Sequence, residues 1–312
     1  MPKDFSVSND YHIRSRTLSF GKEIALDAQI LKVKHLQKCF GKAEVLHDLN
    51  FTVSAGEVYG LIGQNGAGKT TLLRLIAGLM EPTKGSIDCS TEKSYIGYMP
   101  QSCRFDGRDT VFSTVSFFAS LRKADVNESI TLCKRLKLDT TKKAKFLSPG
   151  QQKKLQMVIA MAGDPDFYVL DEPTAGLDPS ATYEMAKIIQ ELHQRGKSIL
   201  ISSHILQDMD DLCTKVAIIE NGCLIYNREL ENIYTVKTGA FTAETFALLR
   251  QKYPVNSNPQ HTTLRVQTDK QGVATIIKIL TSQSVDIYEV VRSNVKDVVQ
   301  EQLHMGDKGV QA

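Results

Sequence analysis

The glycine-rich octapeptide at residues 63–70, GQNGAGKT, carries the residues of this chain that are best suited to chemistry. Its glycines permit backbone turns that a Cβ would obstruct, so successive N–H groups can surround an anion at the start of a helix. The Lys69 ammonium would then contact the β and γ phosphates of a nucleotide, and the Thr70 hydroxyl would hold Mg²⁺. Residues 58–62 read as a buried strand and residues 71–79 as an apolar helix, which is the setting this motif requires. The octapeptide therefore predicts polyphosphate binding, with an ordinary turn between a strand and a helix as the competing interpretation.

Two acidic residues, Asp171 and Glu172, follow a continuous apolar run at residues 167–170. Such a run is typical of a central parallel strand. Ligands of open α/β sheets bind at the carboxyl ends of the strands, where this pair would lie. A polar strand terminus is the structural alternative, and the octapeptide upstream favours the functional one.

Two shorter signals each have a structural and a functional interpretation. Residues 148–151 match a helix capping box, with Ser148 at the cap, Pro149 at the first helical position and Gln151 reaching back. The functional alternative is a second helix N-terminus that faces an anion. At the end of a predicted strand, Phe40 is either a core residue or a ring on which an adenine stacks.

The elements that must position these residues alternate between strands and helices. Residues 30–53 alternate in β fashion on either side of the Gly41-Lys42 turn, which predicts an antiparallel sheet before the octapeptide. Residues 110–138 read as helical, with an apolar face broad enough to serve a partner as well as a core. A buried strand at residues 198–201 and a hairpin across Asn221-Gly222 then complete a doubly wound α/β sheet.

The two ends of the chain carry weaker patterns. Residues 1–28 are polar and aperiodic, which predicts a flexible extension. Periodicity lapses around residues 235–242, and beyond it we predict a small strand-helix-strand-helix unit that starts at Leu264 and has no chemistry of its own. Its last helix would carry Val295, Val298 and Val299. We therefore predict three parts, at residues 1–28, 29–234 and 235–312, with a helical subdomain at about residues 102–162.

Composition argues against several classes of function. The formal net charge of +3, from 38 basic and 35 acidic residues, is too balanced to indicate a nucleic-acid partner. The pairs Lys142-Lys143 and Lys153-Lys154 are assigned to solvated faces. Six scattered cysteines are typical of reduced cytosolic thiols, and a metal site at His35 and Cys39 is rejected because residues 31–40 read as a strand. No apolar run is long enough to cross a membrane, so another chain would have to do any spanning.

Taken in order, these motifs resemble the ATP-binding subunits of ABC transporters over roughly residues 30–230. The block at residues 168–179, YVLDEPTAGLDP, is similar to the family's Walker B strand and D-loop, and residues 147–151, LSPGQ, are similar to its signature sequence. Gln101 resembles the Q-loop glutamine and His204 the switch histidine. The resemblance implies an α/β fold with a P-loop NTPase core, an N-terminal antiparallel β-subdomain and a helical subdomain, followed by the small α+β C-terminal unit.

The resemblance also implies roles for single residues. Asp171 would hold the water shell of Mg²⁺, with Thr70 and Gln101 as its other contacts. Glu172 would take the proton of the attacking water, and His204 would donate to the γ phosphate. Gln101 would sense the metal and the water, and Lys69 would neutralise phosphate charge. ATP would be bound by Phe40, Gly63, Asn65, Gly66, Ala67, Gly68, Lys69, Thr70 and Thr71.

In this family two nucleotide domains enclose two ATP molecules, and each P-loop faces the signature helix of the other subunit. Ser148, Gly150 and Gln151 would therefore act in trans, with Asp178 near the dimer seam. Since the chain has one copy of each motif, it must form a homodimer or pair with a homologous ATPase. The family usually has Gly where this chain has Pro149, which removes one N–H from the anion-facing turn. We expect ATP clamping to be weakened or retuned, with catalysis retained.

The function implied by the resemblance is an ATP-hydrolysing motor that drives separate membrane-spanning subunits from the cytoplasmic, inner face of the cell membrane. The short C-terminal unit is more similar to the tails of export-type subunits, including multidrug and sodium exporters, than to the regulatory domains of many sugar importers. One alternative is a soluble, non-transport ABC ATPase with a regulatory role. The other is a catalytically inactive binding module, against which the presence of Lys69, Asp171, Glu172 and His204 argues.

Overall fold

The computed structural model describes residues 29–91, 95–105, 107–204, 212–229, 233–258 and 260–292. The predicted flexible extension at residues 1–28, and the predicted last helix with Val295, Val298 and Val299, lie outside this part of the chain. Among the described residues, no helix combines the length and the apolar character needed to cross a membrane.

The chain begins with the predicted antiparallel sheet. Strands β1 (Gln29–Phe40) and β2 (Ala43–Ser54) form a hairpin around Gly41, which has a φ of 60°. Strand β4 (Lys84–Cys89) pairs with the other edge of β1, which gives the order β2-β1-β4. This sheet packs against the helix that follows the octapeptide, because Leu46 and Leu49 of β2 share one core with Leu72 and Leu73 of that helix.

A six-stranded sheet forms the centre of the molecule, in the order β5-β6-β7-β3-β8-β9. Its first five strands are parallel and β9 is antiparallel to β8. Side chains alternate between two cores, one on each face, which is why β3, β6 and β7 are buried throughout. The strands are β3 (Val58–Ile62), β5 (Ile96–Met99), β6 (Phe167–Asp171), β7 (Ser198–Ser203), β8 (Lys215–Glu220) and β9 (Cys223–Glu229).

One turn beside this sheet has the chemistry that the sequence predicts, and one helix ends earlier than predicted. Asn221 and Gly222, between β8 and β9, both have positive φ (46° and 76°), as a type I′ hairpin requires. Helix α1 (Lys69–Ile76) ends three residues before the predicted Leu79, because Gly78 takes a left-handed φ of 73°. The Leu79 N–H then donates to the Arg74 carbonyl (2.9 Å), which makes this end a Schellman motif.

The helical segment at residues 110–138 is two helices and not one. Helix α2 (Val111–Leu121) is capped by Thr110, and α3 (Val126–Arg135) is capped by Asp125, whose side chain accepts from the Asn127 N–H. Between them Lys123 adopts a left-handed φ of 52°. The continuous prediction is therefore wrong at this turn, which contains neither Gly nor Pro and is indicated only by the capping Asp125.

Two more helices are described in the central unit, α4 (Pro149–Met161) and α5 (Pro179–Gln194), and a short 3₁₀ turn at Ala144–Phe146 lies between α3 and α4. Each begins with Pro at the first helical position after a capping side chain. Both pack on the same face of the central sheet, through Leu155 and Val158 of α4 and Met185 and Ile189 of α5.

The C-terminal unit has its own sheet, in the order β11-β12-β10-β13, and its own apolar core. Strand β10 and helix α6 were not predicted. For β10 the reason is that Tyr234, Val236 and Thr238 alternate with polar residues and give only a weak β signal. Since β10 pairs with β12 and β13, we propose that this unit begins at Ile233 and not at residue 235. Its elements are β10 (Ile233–Thr238), α6 (Ala243–Arg250), β11 (Val255–Ser257), β12 (Thr263–Gln267), α7 (Lys270–Ser282) and β13 (Ile287–Arg292).

Candidate functional site

The octapeptide lies between β3 and α1, at the carboxyl edge of the central sheet. Two of its glycines are required by close packing. A Cβ at Gly63 would lie 2.4 Å from the Ile219 carbonyl oxygen, and one at Gly68 would lie 2.6 Å from Leu46 Cδ2. Gly66 and Gly68 also have left-handed φ values of 87° and 106°. Helix α1 has neither a capping side chain nor an acidic residue in its first turn, so its N-terminus suits an anion.

The Lys69 ammonium is held inside this loop and is only 5% exposed. It donates to the carbonyl oxygens of Gly63 (2.6 Å) and Gln64 (3.1 Å). Its Nζ also lies 3.6 Å from Glu172 Oε1, at the end of β6. The positive charge of the loop and the acidic pair predicted from the sequence therefore meet at one point.

Glu172 lies directly after β6 and is 4% exposed, with a left-handed φ of 50°. Its N–H donates to Ser202 Oγ (3.0 Å), and the Lys153 ammonium donates to its carbonyl oxygen. Its Oε2 lies 2.9 Å from His204 Nδ1. The carboxylate is thus fixed between a cation and an imidazole, which is an arrangement suited to accepting a proton from a bound water.

Asp171, the last residue of β6, is fully buried. Its Oδ1 accepts a hydrogen bond from Ser202 Oγ (2.7 Å), whereas no group in the described part of the chain hydrogen-bonds Oδ2. A buried carboxylate oxygen without a donor is suited to a cation or to its ordered water. Among the described residues, no three acidic, His or Cys side chains are placed so that they could hold a metal ion by themselves, so any metal here would have to be held jointly with substrate oxygens and water.

Two further residues at this site were given no role, or a wrong one, by the sequence. Ser202 connects Asp171 to Glu172 through the two hydrogen bonds described above; a polar residue near the end of the buried strand β7 was its only signal. Lys153 does not lie on a solvated face, since it reaches Glu172, and Lys154 Nζ lies 3.3 Å from the Leu136 carbonyl oxygen. Burial lowers the pKa of Lys153 below its ordinary value, and the charges of Glu172 and Asp171 oppose that shift.

The hairpin at the end of the sheet forms one wall of a cleft beside the octapeptide. This cleft of about 510 Å³ is lined by Gly63, Asn65, His204, Ile218 and Ile225, among others. Phe40 is 49% exposed at the end of β1, and Lys38 Nζ lies 5.1 Å from its ring centroid. The Lys38 ammonium thus lies over one face of the ring, and stacking of an adenine on Phe40 stays a prediction.

The predicted capping residues form a second group. Ser148 and Gln151 make the reciprocal capping box at the start of α4, and the Asp178 side chain caps α5 by accepting from the Ala181 N–H (2.9 Å). The two helix N-termini are neighbours, since a Cβ at Gly150 would lie 3.4 Å from Leu177. In the part of the chain that the structure describes, no hydrogen bond or ion pair joins these residues to the group around Lys69. Gln101 follows β5, and its side chain is exposed.

The comparison with known sequences identifies this arrangement. The family model described as ABC transporter matches residues 46–175. An ABC transporter ATP-binding protein of Methanocaldococcus jannaschii is 36% identical over 209 residues, which cover 65% of this chain and 79% of that protein. One from Bacillus subtilis is 31% identical over 279 residues, covering 84% and 91%. The Nod factor export ATP-binding protein I of Burkholderia lata is 37% identical over 204 residues, covering 61% and 67%.

Solved structures agree with the sequence comparison. The ATP-binding subunit of an ABC transporter superposes with a TM-score of 0.61 at 29% identity, over 64% of this chain and 90% of that one. A dimeric ATP-binding cassette in a post-hydrolysis state, bound to ADP and Pi, superposes with a TM-score of 0.59 over 64% and 98%. At 20% identity this second likeness concerns the fold alone.

Proposed function

The chain belongs to the ABC transporter ATP-binding proteins and hydrolyses ATP, and from that premise we propose that it is the motor subunit of an exporter, driving membrane-spanning subunits that are separate chains. The observation that carries the proposal is the contact of Glu172 with both Lys69 (3.6 Å) and His204 (2.9 Å) at the carboxyl edge of the sheet. A phosphate-binding cation, a base and a hydrogen-bond donor are thereby gathered at one place.

The mechanism we propose uses each of these groups in one step. The N–H groups of the octapeptide bind the phosphates of ATP, and Lys69 exchanges its carbonyl contacts for the β and γ oxygens. Glu172 takes a proton from the attacking water, and His204 donates to the γ phosphate as negative charge develops. Ser202 Oγ donates a hydrogen bond to Asp171 Oδ1 and accepts one from the Glu172 N–H, and these two hydrogen bonds keep both acidic residues oriented.

Magnesium fits the same place, because Asp171 Oδ2 is buried without a donor in the described part of the chain. Asp171, Thr70 and Gln101 would hold it. When bound, the ion would neutralise charge on the phosphate oxygens. Gln101 lies on an exposed segment after β5, where it can approach the nucleotide from outside the sheet.

We propose that a second copy of the chain, or a homologous ATPase, completes each nucleotide site. The residues that the family resemblance assigns to the partner's ATP lie at two helix N-termini, separate from the phosphate loop of their own chain. These residues are Ser148, Gly150, Gln151 and Asp178. In a two-fold dimer these helix ends would face the partner's ATP. The dimeric cassette solved with ADP and Pi provides a precedent for such an assembly.

The proposed docking surface for membrane-spanning subunits is the outer side of α2. Phe112, Phe117 and Leu121 are all more than half exposed there, on the segment that follows Gln101. Exposed aromatic residues grouped on one helix are typical of a protein interface. Export is supported by the relatives that are named for Nod factor export. This assembly would hold the chain on the cytoplasmic face of the membrane.

Copurification from native membranes tests this proposal. Tagged full-length chain is recovered after detergent solubilisation, together with Phe117→Asp and, as a control on another surface, Tyr183→Asp. Both positions are exposed apolar residues (57% and 67%). We expect an integral membrane protein in stoichiometric amount with the wild type and with Tyr183→Asp, and its loss with Phe117→Asp. Recovery from the soluble fraction alone, at every salt and nucleotide condition, would favour a soluble regulatory ATPase instead.

A further inference from the structure

Helix α4 contains a buried amide that is not part of the site described above. Gln156 lies two turns after Ser148 and is 4% exposed, among the apolar side chains Leu155, Met157 and Val158. A glutamine at such a position is costly unless both of its polar atoms are hydrogen-bonded. Its partners therefore explain why an amide is placed there.

Both partners are backbone groups of the segment that carries Gln101. With its nitrogen turned towards a carbonyl, the Gln156 amide donates to the Pro100 oxygen (2.9 Å) and accepts from the Cys103 N–H (3.1 Å). This orientation is the one that satisfies both atoms of the amide. The two hydrogen bonds lie on either side of Gln101, so they fix the backbone from which the Gln101 side chain extends.

The same side of α4 holds a second backbone group of the site. Lys153, three residues before Gln156 and hence on the same helix face, donates from Nζ to the Glu172 carbonyl oxygen. Glu172 has a left-handed φ of 50°, a conformation that needs support from its surroundings. One helix therefore holds both the segment of Gln101 and the turn of Glu172.

We propose that Gln156 and Lys153 are positioning residues. They connect the segments that carry Gln101 and Glu172 to helix α4 of the same chain. The N-terminus of α4 would face the nucleotide bound by the other copy. The connection to a second nucleotide rests on the proposed function, whereas the two hydrogen bonds between Gln156 and the backbone around Gln101 do not. Helix α4 is continuous over Pro149–Met161, so a displacement of its N-terminus moves Lys153 and Gln156 with it. Closure around one ATP is thereby transmitted to the residues that act on the other.

Gln156→Met removes both of these hydrogen bonds but keeps the length and the burial of the side chain. The matched control is Val158→Ala, a core substitution on the same helix at a residue that lines a cleft with Ser129 and Leu132 of α3. Amide hydrogen exchange in the full-length chain measures directly how well the Cys103 N–H is protected by its hydrogen bond to Gln156. We expect the Cys103 N–H to exchange about fivefold or more faster in Gln156→Met and to remain unchanged in Val158→Ala.

The kinetic consequence is read from ATP turnover. We expect kcat to fall about tenfold in Gln156→Met, with the affinity of the single phosphate loop for ATP unchanged, since a displaced catalytic group costs rate and not binding. The double variant with Gln101→Ala is expected to be no slower than Gln101→Ala alone. Unchanged exchange at Cys103, or losses of kcat that multiply in the double variant, would overturn the proposal. Because exchange needs no turnover, this result is independent of whether the chain drives a transporter.

Discussion

Replacing Glu172 by Gln changes one charge in the middle of the site and leaves its shape intact. The side chain is 4% exposed and is fixed by contacts with Lys69 and His204. A glutamine of the same size can occupy the same space beside them. A glutamine cannot take the proton of an attacking water at this position. General base catalysis contributes roughly 10²–10⁴ in rate, so we expect kcat to fall by that factor, equivalent to about 3–5 kcal/mol of barrier.

The same substitution has an opposite effect on binding. The Glu172 carboxylate lies 3.6 Å from Lys69, so in the absence of ATP it competes with phosphate for the ammonium. Glu172→Gln is therefore expected to bind ATP at least as tightly as the wild type. Without nucleotide its thermal midpoint should be lower, because the buried ammonium has lost its anion, and ATP should restore it.

The assay is phosphate release by the purified full-length chain, with nucleotide binding measured on the same samples. Glu128→Gln, in the exposed first turn of α3, is the matched control and should keep the wild-type kcat. A Glu172→Gln enzyme that turns over within about threefold of the wild type would refute the role of Glu172. Wild-type chain without any hydrolysis would favour the inactive binding module instead.

Further outcomes follow from the packing of single residues. Gly63→Ala and Gly66→Ala should both lower the thermal midpoint, the second because Gly66 has a left-handed φ of 87°. Gly63→Ala should lower it more, since its Cβ meets the Ile219 carbonyl oxygen at 2.4 Å whereas a Cβ at Gly66 meets nothing within 4 Å. Scanning calorimetry of the two variants compares them. Pro149→Gly restores an N–H at the start of α4, so sedimentation in ATP should detect a tighter dimer, by about tenfold for one hydrogen bond to a charged group, and an unchanged or weaker dimer would contradict this. Burial raises the pKa of the Cys133 thiol from 9.0 to about 11. The unfolded chain therefore ionises first, and this thiol should contribute a loss of about 2 kcal/mol of stability between pH 9 and pH 11 in denaturant titrations. In Cys133→Ala the loss over the same pH range should be smaller by that amount.

The sequence predicted those parts of the site whose chemistry lies within one short segment. The octapeptide, the acidic pair after β6 and the capping box at Ser148 each combine a local conformation with a residue type, and all three have the predicted conformation. The family and the fold followed from their order along the chain.

The parts that were missed depend on partners distant in sequence. Lys153 was assigned to solvent, and its contact with Glu172 arises only when α4 packs against the end of β6. Ser202 and Gln156 are polar residues within apolar elements, and no periodicity indicates which backbone they meet. Strand β10 was not predicted for a similar reason, since its stability comes from pairing with β12 and β13. The roles of Gln101 and Phe40 stay predictions.

The central claim is that ATP is hydrolysed at a site shared by two copies of the chain, and mixing two inactive variants tests it most directly. Lys69→Ala removes the phosphate-binding ammonium, and Ser148→Arg blocks the helix end that would serve the partner's ATP. Each variant alone should be inactive. In an equal mixture half of the dimers carry one intact composite site, so about a quarter of the wild-type rate should return. Full activity of Ser148→Arg alone, or no recovery in a mixture whose subunits demonstrably exchange, would contradict the account.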